Sequence, residues 1–127
     1  MPTLTPTIDD IKAAEPWKAG KYRAKALSHE EKVSKPNKDT GETSMNDWVV
    51  FEIIDGSDMN GRKIRHCFSE KFTIPAINYF RALGAKVEPG VSLDWAKTVD
   101  REVNLIVGLE PYNGRPMPKI QDFTPVG

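Results

Sequence analysis

Cysteine is nearly absent from these 127 residues: Cys67 stands alone, so an intramolecular disulfide and a cysteine-rich zinc site are both excluded. No apolar run approaches the ~20 residues that cross a bilayer, so no membrane partner is expected. Residues 1–6 (MPTLTP) lack the basic start and apolar core of a signal peptide, and the expected location is the cytoplasm. Net charge is also missing, since 18 Lys and Arg balance 18 Asp and Glu. The molecule as a whole therefore exerts no strong pull on a polyanion.

Signatures of catalysis are missing too. There is no Walker-type Gly-Lys-Ser/Thr and no GxSxG. His66 and Cys67 are neighbours on an expected strand and so leave opposite faces, which disqualifies them as a pair. His29 lies in a polar segment and reads as exposed. Asp55, Asp58 and Asn60 miss the spacing of a calcium loop, and Cys67 and Phe68 stand where its bidentate Glu belongs. A turn between strands explains them better. Neither enzyme activity nor a cofactor is expected.

What is present reads as one mostly β domain. Thr7-Ile8-Asp9-Asp10 forms a capping box for a short helix that must stop before Pro16. From Gly20, Tyr22, Ala24 and Ala26 alternate with Lys21, Arg23 and Lys25, the period of a half-exposed strand. Residues 34–44 (SKPNKDTGETS) read as a long, flexible hairpin loop, and residues 47–54 (DWVVFEII) as the strongest strand. A turn at 55–61 leads to a third strand at 62–68. Ile74, Ile77, Phe80 and Leu83 then repeat at helical spacing, with Pro75 in the first turn and Gly84 at the end. One helical turn is expected around Leu93-Asp94-Trp95. A fourth strand spans 99–109, a loop 111–118 and a fifth strand 118–123. Five strands with a helix between the third and fourth are the order of a five-stranded OB-type barrel.

The chain resembles the phage-encoded single-stranded DNA-binding proteins with an OB fold. The resembling residues are Gly20-Lys21-Tyr22, Ser34-Lys35 with Gly41 and Met45, Phe51-Glu52-Ile53-Ile54-Asp55-Gly56, Gly61-Arg62-Lys63-Ile64 and Ala82-Leu83-Gly84. They divide the chain into an N-terminal arm with its short helix, residues 1–16, and an OB-fold domain, residues 17–127. The resemblance implies sequence-independent binding and protection of single-stranded DNA in phage DNA replication or recombination, within the host cytoplasm. Replication or recombination proteins, and further copies of the chain, are compatible as additional partners. Many such proteins end in an acidic recruiting tail; residues 123–127 (FTPVG) are not one, so recruitment through a tail is not expected. OB barrels also bind peptides and proteins, which keeps a protein-interaction module acting on a host or phage protein as the second reading.

Single-strand binding needs cations along the backbone and flat side chains for the bases. Residues 17–38 hold seven cations against Glu30 and Glu31, a local excess of five that screening leaves free to act on its own. In an OB barrel the groove crosses strands two and three between the first and last hairpin loops. Lys35 and Lys38 fall in the first of these loops, and Tyr112 and Arg115 in the other. Lys21, Arg23 and Lys25 share one face of the first strand, Lys63 and Arg65 one face of the third, and Lys119 lies on the fifth. If Val49, Phe51 and Ile53 point inward, Trp48 points outward as a stacking platform; alternatively it packs beneath a loop or the N-terminal helix. Trp17 and Trp95 flank expected elements and read as structural.

Overall fold

A computed structural model describes residues 3–8, 16–57 and 59–126. Of the short helix expected to open at Thr7 and stop before Pro16, residues 9–15 lie outside the described residues. Five strands follow: β1 (Gly20–Val33), β2 (Met45–Ile53), β3 (Lys63–Ser69), β4 (Glu102–Tyr112) and β5 (Arg115–Thr124). Helix α1 (Ile74–Ala82) and a 3-10 turn (Trp95–Thr98) lie in sequence between β3 and β4. The strands form one antiparallel sheet in the order β3-β2-β1-β4-β5.

Alternation decides which side chains enter the core. Tyr22, Ala24 and Ala26 of β1 and Val49, Phe51 and Ile53 of β2 are buried, while Lys21, Arg23 and Trp48 leave the other face. A bulge between Ala26 and Ser28 then resets the parity of β1. It turns His29 inward, against Asp47 Oδ1 at 2.7 Å and stacked on Trp95. His29 is thus half-buried, against the exposed position expected for it.

No ladder joins β3 to β5 among the described residues, so the sheet is open where the expected barrel would close. Side chains span the gap instead. Phe123 of β5 meets His66 and Phe68 of β3, each with ring centroids 5.6 Å apart. Tyr79 of α1 adds to the same cluster, 5.2 Å from Phe68 and 5.0 Å from Phe123. Burial pushes its hydroxyl up to about 12, and it pushes His66 down to about 4, with Lys119 adding to the second effect.

Helix α1 buries Tyr79, Phe80 and Ala82, and Leu83 behind them, but not the whole expected stripe. Ile74 is 71% exposed, because the first turn, which carries Pro75, extends beyond the buried face. The 3-10 turn begins at Trp95, the last of the expected residues, with Asp94 as its cap accepting from the Ala96 amide.

The expected loop at 111–118 is not one. β4 and β5 continue to a two-residue tip at Asn113-Gly114, whose φ angles of +50° and +76° suit a type I′ turn. Tyr112 and Arg115 consequently face each other as a ladder pair. The first hairpin, in contrast to the loose loop expected, is tied by Ser34 and Ser44 and by Asn37, whose side chain accepts from the Asp39 amide. In the 55–61 turn, Asp55 and Asn60 accept backbone amides of Ser57 and Gly56. Among the described residues no cluster of metal-binding side chains exists, and no helix is long and apolar enough to cross a membrane.

Candidate nucleic-acid interface

Register places the outward residues of β1, β2 and β3 in rows. Glu52 lies between Lys25 and Lys63, Val50 between Ser28 and Arg65, and Trp48 between Glu30 and Cys67. Trp48 is outward and half-buried. Its diagonal neighbour Arg65 places its guanidinium 4.5 Å from the ring centroid. The indole is therefore neither in the core nor bare: an arginine plane covers part of it, held by attraction to the ring's electrons.

The two hairpins flank this face from opposite ends. The β1–β2 tip, carrying exposed Lys35 and Lys38, lies beyond Val33 and the end of β3. The β4–β5 tip projects past Gly20, on the side where β3 begins. A seven-residue β3 separates them by about 20 Å at strand rise. Lys35 and Lys38 thus do not meet Tyr112 and Arg115; the β2–β3 face lies between the two sets.

Several expected cations already have partners. Arg23 is paired with Glu102 at 2.6 Å, Lys25 with Asp100 at 3.8 Å and Lys119 with Glu110 at 3.0 Å. These exposed pairs are worth at most about 1 kcal/mol each and are exchangeable for phosphate. Lys21, Lys35, Lys38, Lys63 and Arg115 make no ion pair among the described residues. Lys21 and Arg23 pair in register with β4, at Ile106 and Asn104, to one side of the β2–β3 face. Tyr112 is 68% exposed, with its ring in solvent as stacking requires.

Where β3 begins, a cleft of about 670 Å³ opens against β5. Lys63 and Arg65 of β3 line it together with Arg115, which is distant from them in sequence. Trp17, Arg62 and Met117 join them, three residues that spacing alone does not single out. Trp17 packs edge-on against Tyr22 and has the Arg62 guanidinium 4.7 Å from its ring. Its place opposite the last hairpin follows from the β1–β4 register, a non-local pairing.

No protein-family profile matches the chain, and no curated protein matches it.

Proposed function

We propose that the chain is an OB-type domain that binds and protects single-stranded DNA without sequence preference, in phage DNA replication or recombination. The strand order supports the fold: it is that of an OB barrel opened between its third and fifth strands. In such a sheet β3 and β5 run parallel, and the Phe123 contacts with His66 and Phe68 bring their inner faces together.

The observation that carries the function is the outward Trp48–Arg65 pair. A base stacks on an indole or on a guanidinium plane, and every base has such a face to offer. Lys63 beside the pair and the cations on the two flanking hairpins supply the backbone charge. The test is protection of oligonucleotides from a single-strand-specific nuclease. Oligo-dT and mixed-sequence strands gain comparable protection as protein is added. Digestion at the unprotected rate, or protection of one sequence alone, contradicts the reading.

One observation favours the protein-interaction alternative: Phe72 and Ile74, at the start of α1, are 72% and 71% exposed. That site lies on α1 and the segment before it, so substituting these residues separates the two readings.

A further inference from the structure

We infer that the cleft between β3 and the β4–β5 hairpin takes one nucleotide of the bound strand, with its base against Trp17 and Met117 and its phosphate on Lys63 and Arg115. The inference rests on the single-strand reading and extends the strand's path beyond the β2–β3 face.

Charge singles out this cleft. Three further clefts carry carboxylates in their walls: Glu110 and Asp122 in one, Asp94 in another, and Asp47 and Glu70 in the third. The β3–β5 cleft has none among the described residues, and it joins cationic side chains to an apolar floor. Its volume of about 670 Å³ suits a small polar ligand with a flat ring. A phosphate and a base on one sugar require that combination of positive rim and apolar floor.

The cleft is also continuous with the Trp48 face. Arg65 lines the cleft and also covers Trp48, so a strand leaving the Trp48 ring passes directly into it. Two arginine-over-tryptophan pairs, Arg65 with Trp48 and Arg62 with Trp17, thus stand three residues apart along the start of β3. Each offers a flat surface for one base, and Lys63 lies between them in sequence. Met117 contributes a flexible, polarizable side chain that is 47% exposed and so accessible to a base.

The test uses the whole chain and oligo-dT. Methyl NMR follows Met117, and Met117→Glu places an anion in the cleft at an exposed position. Lys97→Gln, which makes the same one-unit change in net charge on the 3-10 turn, serves as the control. The inference expects the Met117 methyl signal to shift on adding oligo-dT, and Met117→Glu to weaken binding about tenfold with the fold retained. Unchanged affinity in Met117→Glu and an unmoved Met117 methyl, while wild type still binds oligo-dT, overturn the cleft and leave the single-strand reading standing. Equal weakening by Lys97→Gln also overturns it, because the effect is then general electrostatics. Failure of wild type to bind oligo-dT overturns both.

Discussion

Arg65 lies diagonally across the β2–β3 ladder from Trp48, its guanidinium 4.5 Å from the indole centroid, on the face opposite the core. The pair is a surface feature with little role in folding, since the core beneath it is filled by Val49, Phe51 and Phe68. Trp48→Ala should therefore weaken oligo-dT binding by about 1–3 kcal/mol while leaving the domain folded. Fluorescence titration reads the first quantity and circular dichroism the second. Loss of the folded signal would assign Trp48 to the core instead.

Phosphate contacts at both hairpins make a distinct signature in salt. Removing Lys35, Lys38 or Arg115 singly should lower the salt slope of oligo-dT binding by roughly 0.7, the amount for one counterion on a single strand. Lys97, on the 3-10 turn, should leave the slope alone when changed to Gln. A slope indifferent to the hairpin substitutions would place the strand elsewhere.

His66 provides a stability test of the β3–β5 contact. Burial against Phe68 and Phe123 holds it down at about 4 in the fold, below its ordinary value of 6.5. The unfolded chain thus binds this proton first as pH falls. The resulting stability is complete above about pH 6.5 and is lost as pH drops toward 4, at about 1.4 kcal/mol per pH unit. Urea unfolding of wild type and His66→Gln between pH 7 and 5 should show a difference that shrinks by roughly 2 kcal/mol. A constant difference would mean that His66 is hydrated at the seam.

The left-handed tip at Gly114, with φ of +76°, sets Tyr112 opposite Arg115. Gly114→Ala should cost about 1 kcal/mol in thermal or urea unfolding, since a Cβ is unfavourable in that conformation. A neutral substitution would indicate a looser hairpin tip.

Period-two segments were the legible part of this fold. The alternation around Tyr22, Ala24 and Ala26, and around Val49, Phe51 and Ile53, placed the core face of β1 and β2 and put Trp48 outside it. What was not legible depends on register. Glu102, Asp100 and Glu110 neutralise Arg23, Lys25 and Lys119 only because β4 and its flanks are brought beside those cations by pairing. The bulge after Ala26 turned His29 inward, and no local residue preference marks it. Asn113-Gly114, by contrast, carried a strong type I′ hairpin signal that the nearby prolines Pro111, Pro116 and Pro118 obscured. Trp17, read as structural, does pack against the core beside Tyr22; the cleft wall that it also forms depends on non-local pairing and was not legible.

The central claim is single-strand binding through stacking and backbone charge, and its most direct measurement is a titration of labelled oligo-dT against duplex of equal length, at low and at moderate salt. Duplex bases have no free faces, so the account expects oligo-dT to bind more tightly at both salt concentrations, and both affinities to fall as salt rises. Duplex binding as tight as oligo-dT binding, or no oligo-dT binding even at low salt, would contradict it.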